Sequence, residues 1–193
     1  MKGVELIRLI ILFLLNSSIL FVLWQRDPSI VSENNLIENM QVVFLFMALF
    51  FIFLRFFKER VCSSPIIFFL LFFLTLIMRE VDLRPLSAPR FIIILSTKGR
   101  DLILSLGWLL FIYAFIRKFK ASLKEYAVIV KNAPGRYFVL GCLFYVLAWP
   151  FDEGIFSITK NTNNFIEELL ENMGTLLFLL SAFYFSKGRF HFR

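Results

Sequence analysis

The chain has 193 residues, of which 59% are hydrophobic and 18% aromatic, with a mean hydropathy of +0.78. The length would suit one soluble domain, but that hydropathy excludes a soluble fold and leaves a polytopic membrane protein. The net charge of +7 does not call for nucleic acid, because the basic residues gather at the ends of apolar runs, where membrane topology accounts for them.

After a short basic head, Met1 to Arg8, the first apolar run is Leu9 to Trp24. No small-residue cleavage site follows it, and Asn16, Ser17 and Ser18 interrupt it, so it reads as a retained helix and not as a signal peptide. The second run, Met40 to Phe57, closes on Arg55, Lys58 and Arg60, and the third, Pro65 to Met78, on Arg79-Glu80-Val81-Asp82. The connection Leu83 to Asp101 holds Pro85, Pro89 and the apolar island Phe91 to Leu95, which is too short to span and fits an interfacial or re-entrant piece. The fourth run, Leu102 to Ile116, exits into Arg117-Lys118-Phe119-Lys120. From there Phe119, Leu123, Tyr126 and Val130 recur at i, i+4, i+7 and i+11, with Lys120, Lys124 and Lys131 away from them. That pattern predicts an amphipathic helix on an anionic membrane surface, ended by the turn Asn132 to Gly135. The fifth run, Tyr137 to Phe151, stops at Pro150 and Asp152-Glu153-Gly154. A polar loop, Ser157 to Asn164, leads to the sixth, Met173 to Phe185, and the tail carries Lys187, Arg189 and Arg193.

The expectation is therefore an all-α, single-domain bundle of six membrane helices. The spans fall at about residues 6–24, 38–57, 65–82, 101–117, 136–152 and 166–186, with the surface helix at about 119–131. Six spans put both termini on one side. That side collects fourteen Lys and Arg against Glu5, Glu59 and Glu125, while the other collects seven against eleven acids. The positive-inside rule makes the first side cytoplasmic, as for a bacterial inner-membrane protein. Cys62 and Cys142 are too few and too far apart for a disulfide framework.

Two stretches repeat. Asn34-Asn35-Leu36-Ile37-Glu38 leads into the second run and Asn163-Asn164-Phe165-Ile166-Glu167 into the sixth. Upstream of them, Phe21-Val22-Leu23-Trp24 with Asp27 answers Tyr145-Val146-Leu147-Ala148-Trp149 with Asp152. Spans one and two thus resemble spans five and six in the same orientation, a parallel internal repeat.

The outward ends of the third, fifth and sixth runs are short of the ~20 residues a crossing needs. Their charges would then sit among the helices, where ionisable groups are costly and must pair or line a wet cavity. Asn164, Glu168, Glu171 and Thr175 share a stripe of the sixth helix, and Asn34, Glu38 and Gln41 one of the second. Arg79 and Asp82, three apart, share a face of the third. The candidate outward cluster is Glu38, Arg79, Glu80, Asp82, Asp152, Glu167, Glu168 and Glu171. Acids in such excess over one arginine are relieved by a proton or a bound cation, and a divalent cation is the one cofactor they suggest. The readings in order are a site that binds or transports a cation or cation-bridged ligand, a metal-dependent enzyme on lipid headgroups or lipid-linked sugars, and a structural subunit. The enzyme reading lacks a histidine base, since His191 is the one histidine and lies in the tail, and it lacks a Gly-x-Ser-x-Gly elbow or a phosphate loop. The implied partners are membrane lipids and either a membrane-protein partner or a second copy of the chain, with no nucleic acid.

Arg79-Glu80-Val81-Asp82, with Asp152 and Phe165-Ile166-Glu167-Glu168, resembles a family of small uncharacterised bacterial inner-membrane proteins whose middle helix closes on an Arg-Glu-x-Asp-Phe-His motif. The resemblance spans the third, fifth and sixth runs and implies a polytopic helical fold. Leu83-Arg84 stands in place of the Phe-His pair, so no His-dependent chemistry carries over. Ceramidase-like hydrolases need several histidines on their membrane helices and fit poorly.

The six-span topology places Lys131 and Asn161 on opposite sides of the membrane, so reporter fusions at the two positions should read different compartments. The same compartment for both would refute the topology.

Overall fold

A computed structural model of the chain describes residues 3–32, 36–59, 63–81, 99–156 and 158–188. The described residues form seven α-helices: α1 (Gly3–Arg26), α2 (Leu36–Glu59), α3 (Ser64–Glu80), α4 (Arg100–Arg117), α5 (Phe119–Lys131), α6 (Ala133–Asp152) and α7 (Lys160–Lys187). Among them is no strand, and a 3-10 turn, Pro28–Val31, follows α1. The apolar island Phe91 to Leu95 lies outside the described residues, as do Asn34 and Asp82.

Local chemistry sets the helix ends. Pro28 keeps Asp27 out of the helical region, at φ −142° and ψ 94°. The Asp27 carboxylate then accepts from the Ser29 amide at 2.9 Å and the Ser29 hydroxyl at 2.6 Å, capping the 3-10 turn. Those two hydrogen bonds hold its pKa below the ordinary carboxylate value. The cap is therefore fully present at neutral pH and is lost as pH falls through the lowered pKa. At the other end of the chain, Thr159 Oγ1 accepts from the Thr162 amide at 3.4 Å, so α7 starts at Lys160. Lys160 to Asn164, expected as loop, is thus the first turn of a helix. Pro150 does not end α6 either. It sits in the last turn, and termination falls to Gly154 at φ 61°, with the Ile155 amide closing on the Pro150 carbonyl at 3.0 Å.

By length and composition, three helices among the described residues suffice to cross a membrane: Ile7–Arg26, Leu36–Lys58 and Lys160–Lys187. A fourth crossing appears if α4 and α5 count as one broken span, bent by 103° at Lys118. Helix α3 has 17 residues, a rise of about 26 Å against the ~30 Å of a hydrocarbon core.

Packing divides the chain into two compact units, Met1–Phe44 with Tyr137–Phe178 and Leu45–Arg136 with Leu179–Arg193. In the first, Leu20, Ile30, Val31, Ile37 and Phe165 form a buried core, and the Trp24 indole stacks on Phe165 at 4.5 Å. Here α6 and α7 cross at two glycines. A Cβ on Gly141 would sit 2.6 Å from the Phe178 ring and 3.0 Å from the Gly174 carbonyl oxygen. One on Gly174 would sit 2.7 Å from the Tyr145 ring and 3.0 Å from the Gly141 carbonyl oxygen. Small residues let helices approach this closely where no hydrophobic effect drives them together.

In the second unit α3 packs against α4 and α5. Phe68 is the hub, with Phe72, Trp108, Phe111 and Tyr126 rings all within 6.0 Å. Trp108 Nε1 donates to Thr75 Oγ1 at 3.0 Å, which supplies the indole with its one hydrogen bond inside apolar surroundings. Arg55 is 1% exposed. Its guanidinium donates to the Phe185 carbonyl and, at 2.7 Å, to the Gly188 carbonyl, and lies 4.3 Å over the Phe185 ring. It thereby caps the C-terminus of α7, whose last carbonyls have no donor within the helix and whose dipole favours a cation there.

Gly141→Leu should destabilise the protein by about 1–3 kcal/mol through overpacking against the Gly174 backbone. Gly107→Ala should cost less, because the new methyl meets only the flexible end of Leu71. Denaturant unfolding in detergent checks this, and equal midpoints for the two variants would contradict the close crossing.

Candidate functional site

Helix α7 carries Glu168, Asn172 and Thr175 at i, i+4 and i+7, which places them on one stripe. Asn172 and Thr175 are fully buried, and Glu168 is half-buried. Three other helices of the first unit bring polar groups to that stripe. From α2, the fully buried Gln41 donates through Nε2 to Glu168 Oε2 at 2.8 Å and more weakly to the Glu168 carbonyl at 3.4 Å. From α1, Asn16 Nδ2 donates to Asn172 Oδ1 at 2.9 Å. From α6, the Tyr145 hydroxyl lies 2.8 Å from Thr175 Oγ1, which itself donates to the Glu171 carbonyl at 2.8 Å. Tyr145 is then the donor to Thr175.

The result is a polar lane among apolar helices. Two of its atoms stand out. Gln41 Oε1 and Asn172 Nδ2, on side chains that are fully buried, have no hydrogen-bond partner among the described residues. Leaving such a group unmatched costs about 1–3 kcal/mol, so a buried acceptor and a buried donor on side chains of the same lane favour a small polar guest. The charged group within reach is Glu168. A carboxylate with an amide oxygen beside it is a hard-oxygen donor set, suited to a proton, a hydrated cation or a hard metal ion.

The expected cluster is divided between the two units. Glu38, Asp152, Glu167, Glu168 and Glu171 belong to the first and Arg79 and Glu80 to the second. Glu38, Glu167 and Glu171 are half-buried, and Asp152 is exposed at the end of α6. Arg79 Nε donates to Glu80 Oε1 at 2.7 Å, with Glu80 9% exposed and Arg79 49% exposed. The acid is the sunken partner and the arginine is half-exposed. Gln41 and Glu168, each assigned by spacing to a polar stripe of its helix, do meet. Spacing treats Asn16 as an interruption of an apolar run and Tyr145 as part of a repeated stretch, and it gives Asn172 no role. The signal for Asn172 was present, since it stands four residues after Glu168, on the same face. Among the described residues no three of His, Cys, Asp and Glu are grouped so as to hold a metal ion.

Fold and lane together define a helical membrane protein with hydrogen-bonded polar side chains between its apolar helices. No protein-family model, curated protein or solved structure matches the chain.

Asn16 and Asn172 should be energetically coupled. A double-mutant cycle with Asn16→Ala and Asn172→Ala, read by unfolding in detergent, should give about 0.6 kcal/mol and no more than about 1.7. Strict additivity would mean that the hydrogen bond contributes nothing.

Proposed function

We propose that the protein is a multi-pass bacterial inner-membrane protein that binds a cation, or a ligand bridged by one, in a transport or accessory role without chemical turnover. In this reading α3, α4 and α6 complete the six spans and both termini are cytoplasmic. The paired polar lead-ins of α2 and α7 come from a parallel duplication. The observation that carries the proposal is the Glu168 carboxylate, held at 2.8 Å by Gln41, whose buried amide oxygen has no hydrogen-bond partner among the described residues. Glu38, Glu167 and Glu171 are acids on the same two helices, and they supply the negative potential that draws a cation to Glu168.

The test is a thermal-shift titration of the purified protein with Na⁺, K⁺, Mg²⁺, Mn²⁺ and Ca²⁺ and across pH, repeated with Glu168→Gln. An ion- or proton-dependent shift in the parent that is lost in Glu168→Gln is the expected outcome. Identical profiles for parent and variant would leave the lane a structural network only.

A further inference from the structure

A second feature, independent of the polar lane, lies in the second unit. A cleft of about 380 Å³ opens between α3, α4 and α5, lined by Phe68, Phe111, Ile112, Phe115, Leu123 and Tyr126. Its origin is geometric. Helix α5 leaves α4 at 103° across the single non-helical residue Lys118, and the cleft opens inside that corner. The walls are rigid because the rings brace one another: Phe68 is 6.0 Å from Phe111 and 5.9 Å from Tyr126, and Phe115 is 5.8 Å from Tyr126. The lining has one polar atom, the Tyr126 hydroxyl, and it is already committed, donating to the Ser64 carbonyl at 3.3 Å. What fills the cleft must therefore be hydrocarbon. Its size falls in the range of about 300–1,000 Å³ typical of small-molecule sites.

Charge decides which hydrocarbon. From Arg117 to Lys131 the corner and α5 carry Arg117, Lys118, Lys120, Lys124 and Lys131 against one acid, the half-buried Glu125. Lys120 and Lys124 are exposed and sit one turn apart, on one side of Leu123, which lines the cleft. The same helix exposes apolar side chains beside them, with Phe119 50%, Leu123 45% and Val130 52% exposed. A helix that presents lysines and apolar residues together, next to an apolar cleft, matches a molecule with an anionic head and a hydrocarbon tail.

We propose that this cleft binds one anionic phospholipid, an acyl chain lying against Phe68, Phe111 and Phe115 and the phosphate held by Lys120 and Lys124. The site ties the bent α4–α5 corner to the leaflet and selects lipid by headgroup charge. A zwitterionic lipid fills the cleft equally well but gains less from the lysines.

The experiment uses the full chain in mild detergent, with native mass spectrometry against phosphatidylglycerol and phosphatidylcholine of identical chains. One phosphatidylglycerol should be retained per protein, preferred over phosphatidylcholine. Lys120→Gln with Lys124→Gln should erase about tenfold or more of that preference, given roughly fivefold per basic residue near an anionic surface. Leu123→Trp, which fills the cleft, should abolish retention. Should that variant fail to fold, Ile112→Trp fills the cleft from the opposite wall and serves in its place. A phosphatidylglycerol with a photoreactive diazirine in its chain should crosslink to α3, α4 or α5. Equal binding of the two lipids, retention undiminished in the folded tryptophan variant, crosslinks confined to other helices, or a dimer that buries Leu123 and excludes lipid would each overturn the proposal.

Discussion

The close crossing of α6 over α7 governs the arrangement of the first unit. With hydrogen at Gly141 and Gly174 the two backbones approach until a Cβ on either would lie 3.0 Å from the other's carbonyl oxygen. That spacing brings Tyr145 to within 2.8 Å of Thr175 and stacks its ring 5.5 Å from Phe178. A larger residue at either glycine would separate the helices and withdraw the tyrosine from the lane. Helices surrounded by lipid have no difference in apolarity to hold them together, so contact distance and hydrogen bonds between side chains carry the association.

The second constraint is that apolar surroundings tolerate few unmatched polar groups. In each unit that demand is met by side chains from distant parts of the chain. Asn16 reaches Asn172 and Gln41 reaches Glu168 in the first. In the second, Arg55 closes the carbonyl end of α7, and Ser181 Oγ donates to the Pro134 carbonyl at 2.8 Å, where α6 begins. Ser17 and Thr75 solve the problem locally, each donating to the carbonyl four residues earlier at 2.7 Å. Gln41 Oε1 and Asn172 Nδ2 depart from this economy, and that departure gives the lane its interest as a binding site.

The two candidate sites differ in chemistry. The lane is a carboxylate among amides and hydroxyls inside the first unit, suited to a small hard cation. The cleft is aromatic, with lysines along one side, and suits an amphiphile. Neither uses the Arg79–Glu80 pair, in which a half-exposed guanidinium covers an almost buried acid. The arginine gives that acid the ionic partner a buried carboxylate needs.

Hydropathy alone established an all-α membrane protein, because the cost of backbone in hydrocarbon leaves helices as the outcome for long apolar runs. Spacing alone also placed Gln41 and Glu168 on polar stripes and set the amphipathic helix from Phe119, since helical period is a local property that tertiary context need not alter. The polar start of α7 was misread as loop because Thr159, a short distance outside the apolar run, supplies the cap. Which acids sit together, the roles of Asn16, Asn172 and Arg55, the glycine crossing and the corner at Lys118 were decided by tertiary structure. Each depends on residues 33 to 156 positions apart or on a single non-helical residue. Hydropathy measures a residue's own cost in lipid, whereas these features depend on which partner relieves it.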